Sequence, residues 1–210
     1  TYTITLTGCT SGRTIGIKLN SGTVIDQANN AGPAADTAVI SRTVDYTAPQ
    51  VSWGSNPPSP TKTNSTFAIQ FSEHVNGFGA NLITNNGTST GCVFNLTTIV
   101  AGWTYSVEVS SCSDGTLIPV ITANSVTDDA TNAGPAANPS ADRTAGPIVV
   151  DRTAPVASFT TTPPARTHGT LTYVLHFNEA VTGLAADDFT NNGTSTGCAI
   201  GIAAIPSTND

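Results

Sequence analysis

Apolar and polar residues alternate in short bursts along the chain, and most bursts end in a cluster of Gly, Pro, Asn or Ser. Phe67, Ile69 and Phe71 occupy every second place, with Ala68 and Gln70 between them, so the three large side chains share one face of a strand. Tyr105, Val107 and Val109 do the same against Ser106, Glu108 and Ser110. Tyr2, Ile4 and Leu6 repeat the second pattern, and Tyr173, Leu175 and Phe177 repeat the first. Val51-Ser52-Trp53 reads as an earlier strand, and Ile148-Val149-Val150 as a late one. Residues 93–100 and 104–110 read as the arms of a hairpin that turns at Ala101-Gly102-Trp103. A strand over 117–121 is interrupted by Pro119, which belongs at an edge or a bulge. Cys112 falls out of phase with Val109, which predicts a bulge or turn before it. Turns are predicted at Asn56-Pro57-Pro58-Ser59-Pro60, His74-Val75-Asn76-Gly77-Phe78, Asn85-Asn86-Gly87 and Ser113-Asp114-Gly115, with a long loop from Asp128 through Pro135. No segment has helical periodicity. About seven short strands in about a hundred residues is the pattern of a β-sandwich.

The pattern also repeats as sequence. The run from Ile83 to Cys92, containing Thr84-Asn85-Asn86-Gly87-Thr88-Ser89-Thr90-Gly91, returns from Phe189 to Cys198, 106 residues later. Thr47-Ala48-Pro49 recurs as Thr153-Ala154-Pro155, and Phe71-Ser72-Glu73 as Phe177-Asn178-Glu179. Thr1-Tyr2-Thr3-Ile4 matches Thr104-Tyr105-Ser106-Val107, and Asn30-Ala31-Gly32-Pro33 matches Asn132-Ala133-Gly134-Pro135. Extra residues in the second copy, around 140–147, account for the drift in spacing. Solenoid turns repeat every ~20–50 residues, so a period near a hundred is that of a small autonomous domain. Thr1 and Asp210 both align with Thr104. The expected organisation is one complete domain, 49–151, between the back half of a domain, 1–48, and the front half of another, 152–210. Either the chain is an excerpt of a longer array, or half-domains of neighbouring chains complete each other by strand exchange. Both give a linear string of like domains, an arrangement that works by reach and adhesion more than by catalysis.

Composition narrows the classes. The net charge is −7, with seven Lys and Arg, which disfavours a nucleic-acid partner. No apolar run approaches twenty residues, so no membrane-spanning helix is predicted. Charged residues are sparse while Thr, Ser, Asn and Gly abound, which gives a neutral, hydroxyl-rich surface.

The four cysteines bear on the compartment. Cys92 and Cys112 stand symmetrically about Gly102, the centre of the predicted hairpin, which brings the two thiols opposite each other. A disulfide there implies an oxidising location, extracellular or at a cell surface. The other reading is a pair of buried free thiols in a cytosolic protein. Cys9 matches Cys112 and Cys198 matches Cys92, so each is expected to find its partner outside the chain or in a neighbouring chain. No CxxC or Cys/His grouping supports zinc or redox chemistry.

Together these residues resemble bacterial Ig-like repeats of large surface proteins and adhesins. The resemblance rests on Asp151-Arg152-Thr153-Ala154-Pro155 opening a domain and on Phe71-Ser72-Glu73-His74-Val75-Asn76-Gly77-Phe78 after its second strand. Thr104-Tyr105-Ser106-Val107, Cys112-Ser113-Asp114-Gly115-Thr116 and Ala123-Asn124-Ser125-Val126-Thr127-Asp128 extend it across essentially the whole chain. It implies an all-β fold of tandem Ig-like β-sandwiches. It also implies service as a spacer, an adhesive unit or a fibre component. Many relatives read Asp-x-Ala-Gly-Asn in the loop after the sixth strand. Here the loop is Asp128-Asp129-Ala130-Thr131-Asn132, and Asp26-Gln27-Ala28-Asn29-Asn30 in the first copy, so the Gly is missing from both.

Candidate chemistry is limited. His74, His168 and His176 are the only histidines; His74 aligns with Ala180, and His176 with Gln70. No nucleophile elbow, phosphate loop or HExxH is present, and the chain is expected not to be an enzyme. Calcium is the candidate cofactor. In a seven-strand sandwich, Glu73 at the end of strand two, Asp128 and Asp129 in the six–seven loop and Asp45 in the entering linker would crowd one pole. Asp151 and Glu179 would do so one domain on. Calcium takes several carboxylate and carbonyl oxygens, and bound there it would stiffen the joint between domains. The plainer reading is a solvated acidic rim with no ion. Trp53 reads as core, with a sugar platform shared with Trp103 as the alternative. The expected function is a disulfide-stabilised rod in an extracellular bacterial surface fibre or filament, partnered by like domains. The alternative is an adhesin module whose polar loops bind a host or matrix ligand.

Overall fold

Strands form where β-branched and aromatic residues recur at every second position, because such side chains pack well on a pleated, half-buried surface. The computed structural model describes residues 1–55, 57–137 and 143–205. Asn56 of the proline-rich turn, part of the extra stretch around 140–147, and Asp210 lie outside the described residues. The chain is nearly all β and divides into two compact units, Thr1–Arg152 and Thr153–Asp210.

The first unit starts with β1 (Arg13–Ile17), β2 (Val24–Ile25), β3 (Ala31–Gly32) and β4 (Ile40–Val44). β1 pairs antiparallel with β4, from Arg13 opposite Val44 to Ile17 opposite Ile40, and β2 pairs with β3. These strands stay largely exposed. The alternation at Tyr2, Ile4 and Leu6 predicts a strand, yet residues 1–9 join no ladder, since no described strand runs beside them.

The core belongs to the region that follows. β5 (Val51–Gly54), β6 (Ser65–Phe71), β7 (Ile83–Asn85), β8 (Val93–Val100) and β9 (Thr104–Ser110) are followed by β10 (Gly115–Leu117), β11 (Pro119–Ile121), β12 (Val126–Thr127), β13 (Ala133–Gly134) and β14 (Ile148–Val150). One antiparallel sheet has the order β5-β6-β9-β8. β6 alternates strictly between buried and exposed residues, and Phe67, Ile69 and Phe71 are inside, as the sequence pattern predicts. Tyr105, Val107 and Val109 of β9 join them, and Leu117, Ile121, Ile148 and Val150 complete the same core. Phe71 and Tyr105 each meet Phe78 edge-on, and the partly buried Trp53 packs edge-on against Phe67 of the core at 5.8 Å.

The other ladders are small and open: β10 with β14, β11 with β7, and β12 with β13. Pro119 explains the break between β10 and β11. It has no N–H to donate, so the ladder cannot run through it. The chain changes partner there, from Val150 and Ile148 of β14 to Asn85 and Ile83 of β7. Asn85 joins the two ladders. Its Oδ1 accepts the N–H of Ile118 at 2.7 Å and of Gly87 at 2.9 Å, while its Nδ2 donates to the Ser89 carbonyl at 2.7 Å. Gly87 is required beside it, because a Cβ there would run into the Thr116 carbonyl.

The predicted turn before Cys112 is present. Ser111 adopts φ 59, which swings Cys112 back into the core. The ladder irregularity itself lies across the hairpin, between Thr98 and Val100 of β8. The long loop expected from Asp128 to Pro135 is tighter than its sequence implies, being a hairpin of β12 and β13 closed by Asp128.

The second unit contains β15 (Ala157–Phe159) and β16 (Leu175–Phe177), paired antiparallel. Ala157 opposes Phe177, as Val51 opposes Phe71, so this hairpin reproduces the β5–β6 register 106 residues on. The short 3-10 turn Ala80–Leu82 returns as Ala186–Asp188. Asn191 accepts from Gly193 N–H and donates to the Ser195 carbonyl, as Asn85 does to Gly87 and Ser89.

Candidate functional site

Three carboxylates converge at one end of the core region. Asp45 follows the last residue of β4, Glu73 lies two residues beyond β6, and Asp128 directly follows β12. Hydrogen bonds fix each approach. The Ser72 N–H donates to the Gln50 carbonyl at 3.0 Å and the Ser72 hydroxyl accepts from the Gln50 N–H at 2.9 Å, which anchors the segment leading to Glu73. Asp45 Oδ1 accepts the Thr47 N–H at 2.9 Å and the Ser11 hydroxyl at 3.3 Å. Asp128 Oδ1 accepts the N–H groups of Ala130 and Asn132 at 2.8 Å each, and Oδ2 accepts Asn132 Nδ2 at 2.8 Å. Asn132 Nδ2 also reaches the Asp45 carbonyl at 3.1 Å, which ties the entering linker to the hairpin.

One carboxylate oxygen from each of Asp45, Glu73 and Asp128 lies within 4.8 Å of the other two. Asp128 is buried and the other two are half-buried. The electrostatics follow from that crowding. Burial raises the Glu73 carboxyl above its ordinary value, and the charges of Asp128, Asp45 and Asp129 push it the same way. Burial also opposes charge on Asp128, but the Asn132 side chain and the backbone N–H groups of Asn132 and Ala130 prevail and hold its carboxyl low. Glu73 is thus the group on which the strain of like charge falls. Asp45, Glu73 and Asp128 are hard oxygen donors suited to calcium. Both Asp128 oxygens and Asp45 Oδ1 already accept hydrogen bonds, so a cation would draw most on Glu73 and on Asp45 Oδ2.

Asp129, expected in the same group, turns away. Its Oδ1 lies 2.9 Å from His74 Nδ1 and accepts Asn76 Nδ2 at 3.0 Å, and these bonds hold its carboxyl low, Asn76 first and His74 second. Asp151 belongs to the first compact unit and Glu179 to the second. The Asp151 N–H donates to the Thr61 carbonyl at 3.0 Å. Glu179 Oε1 is buried with no hydrogen-bond partner among the described residues.

Cys92 and Cys112 are disulfide-bonded, with Cα atoms 4.1 Å apart, and close the β8–β9 hairpin at its open end. Cys112 lies in the core. Cys9 and Cys198 are unpaired within the chain.

Sequence reasoning missed His74. Its ring lies over the Gly102 turn so closely that a Cβ on Gly102 would overlap it, and it tilts against Trp103 at 6.3 Å. No spacing signals this, because the contact joins a turn after β6 to the tip of a later hairpin and Ala180 replaces His74 in the next copy. The departure in the six–seven loop does have a structural counterpart. Thr131 adopts φ 70 and Asn29 φ 66, the left-handed region that Gly enters without a Cβ penalty.

No protein-family model matches the chain, and neither a curated protein nor a solved structure is significantly similar to it.

Proposed function

We propose that the chain is a run of tandem Ig-like β-sandwich modules, one whole at 49–151 between partial ones at 1–48 and 152–210, and that it serves as a structural repeat of an extracellular bacterial surface fibre. The observation that carries this reading is the recurrence of local geometry at the spacing of the sequence repeat. The β15–β16 register, the 3-10 turn and the Asn191 bonds reproduce those around β5, β6 and Asn85. In the other direction, the Asp26 hairpin repeats that of Asp128, with the same bonds from Ala28 and Asn30. A chain that builds one small motif again and again gains length, and the Cys92–Cys112 bond reinforces the module at 49–151 against unfolding under load. The role needs no catalytic residues. No described helix is long and apolar enough to cross a membrane.

In this reading a divalent cation such as calcium binds Asp45, Glu73 and Asp128 and locks the entering linker to the module, stiffening the joint. Hydrodynamic length and thermal stability, each measured in chelator and in calcium, test the joint. If neither changes, the ion has no part in it. Force spectroscopy on the native protein tests the rod, with a sawtooth of equal unfolding steps expected and a single step or none against it.

A second reading, an adhesin module, draws on the Trp103–His74 pair, since Trp103 remains 42% exposed beside the acidic pole. Glycan and matrix-protein arrays distinguish it, because a rod binds none of them in a way that Trp103→Ala removes.

A further inference from the structure

Three Asn–Gly pairs stand in the chain: Asn76–Gly77, Asn86–Gly87 and Asn192–Gly193. Asparagine before glycine readily loses its side-chain amide, because no Cβ shields the backbone nitrogen that attacks it. The attack needs a free Gly N–H and room for a five-membered ring. The three pairs differ on both counts. The Gly87 N–H donates to Asn85 Oδ1 at 2.9 Å and the Gly193 N–H to Asn191 Oδ1 at 3.0 Å, so both nitrogens are tied. Gly87 is also crowded, since the Thr116 carbonyl lies where a Cβ would stand. Gly77 is the opposite case. It and Asn76 are both exposed, nothing lies within 4 Å of where its Cβ would be, and no described group accepts its N–H.

The turn itself does not need asparagine. Thr182–Gly183, the corresponding pair in the second unit, has the same glycine φ of 85. What Asn76 adds is contacts. Its Nδ2 donates to Asp129 Oδ1 at 3.0 Å in a solvent-exposed bond, and its backbone N–H donates to the Thr127 carbonyl at 2.7 Å. The Thr127 N–H returns to the Asn76 carbonyl at 3.3 Å, which polarises the Asn76–Gly77 peptide and eases loss of the Gly77 proton.

We propose that Asn76 is a site of spontaneous deamidation, a one-way charge switch beside the acidic cluster. Hydroxide takes the Gly77 proton, and the nitrogen attacks Asn76 Cγ. The N–Cγ bond forms, the Cγ–Nδ2 bond breaks, and Nδ2 takes a proton from water and leaves as ammonia. Water then opens the ring. Opening at Cγ gives an ordinary aspartate at this position, and opening at the backbone carbonyl gives isoaspartate. The sum is a hydrolysis, with water consumed, ammonia released and no oxidant or reductant. Either product sets a carboxylate against Asp129 where a donor stood, close to Asp45, Glu73 and Asp128. Isoaspartate also lengthens the main chain between the N–H and the carbonyl that Thr127 holds, so the bridge from the turn after β6 to β12 opens.

The test ages freshly purified protein at neutral pH beside a sample unfolded in urea and reductant, and reads amide-to-acid conversion and isoaspartate by peptide mass spectrometry. In the folded protein the Asn76 peptide is expected to convert at least about tenfold faster than those of Asn86 and Asn192. In urea the three rates should converge to within about threefold, because the bonds to Asn85 and Asn191 are gone. Hydrogen exchange reads the consequence. In the isoaspartate fraction, separated by anion exchange, the Asn76 and Thr127 amides should exchange at least about tenfold faster than in fresh protein. Asn76→Thr, which borrows the residue of the Thr182–Gly183 turn, should abolish both the conversion and the later loss of protection. The proposal is overturned if Asn76 stays intact, or if the three pairs convert equally in the folded protein. It is also overturned if the isoaspartate fraction keeps its protection at Thr127, or if Asn76→Thr loses that protection on ageing as the parent does.

Discussion

Opening the Cys92–Cys112 bond is the perturbation whose size the structure defines best. The two residues are 20 apart in sequence. Closing a loop of that length removes unfolded-chain entropy worth about 3 kcal/mol at 25 °C. For a unit of this size, that loss corresponds to a fall in Tm of roughly 6–12 °C. The experiment uses a Cys9→Ser/Cys198→Ser background, so that only this bond responds to reductant. Urea unfolding, followed by circular dichroism, compares the oxidised protein, the same protein in a phosphine reductant, and Cys92→Ala/Cys112→Ala. Reduction keeps both sulfurs in place and isolates the loop term. The double alanine variant also loses packing, because Cys112 is 4% exposed, and is expected to fall about 1 kcal/mol further. The slope against urea should rise on reduction, since the unfolded chain expands. A loss below about 1 kcal/mol on reduction, with an unchanged slope, would refute the reasoning and leave the bond as a bystander to a hairpin already closed by packing.

Other outcomes follow from the acidic pole and the turns. Glu73 has a raised pKa in the folded state, so its protonation favours the fold: that contribution is present below its ordinary value of 4.5 and is lost as pH rises through the folded value. Glu73→Gln should therefore be more stable than the parent at pH 7 in chelator, by on the order of 1 kcal/mol, with the gap closing in acid. Millimolar calcium should raise the Tm of the parent and not that of the variant; melts from pH 4 to 8 with and without calcium check both. Asp128 and Asp129 act in the opposite sense. Their carboxyls are held low, so their contribution is present above 3.8 and lost as pH falls through the folded values, which Asp128→Asn should blunt in an acid titration. Thr131→Gly relieves a left-handed β-branched residue and should stabilise the protein by about 0.5–1 kcal/mol in the urea assay, while Thr131→Val should not. Asn85→Ala leaves the N–H groups of Ile118 and Gly87 without their acceptor and should cost about 2–3 kcal/mol by the same assay.

The elements legible in the sequence are those whose signal is local. The alternation of Phe67, Ile69 and Phe71 sets the buried face of β6, and the Gly102 turn sets both arms of the β8–β9 hairpin and brings Cys92 opposite Cys112. The gathering of Asp45, Glu73 and Asp128 was legible because strand order alone places those three chain positions at one end. The partners of Asp129 were not legible, for a nonlocal reason: its carboxylate meets His74 and Asn76, more than fifty residues away in sequence, although its charge still acts on Glu73. Pro119 signalled an interruption, but not that the chain would change ladders there, which depends on Asn85 more than thirty residues away. Tyr2, Ile4 and Leu6 have the alternation of β9 without its neighbours, and pattern alone cannot supply a neighbouring strand.

The central claim is that this chain is a length of a module array. Electron microscopy of the native protein tests this most directly. The account predicts extended strings or filaments whose axial period corresponds to one or two modules of about a hundred residues. A compact particle without axial repeat would contradict it.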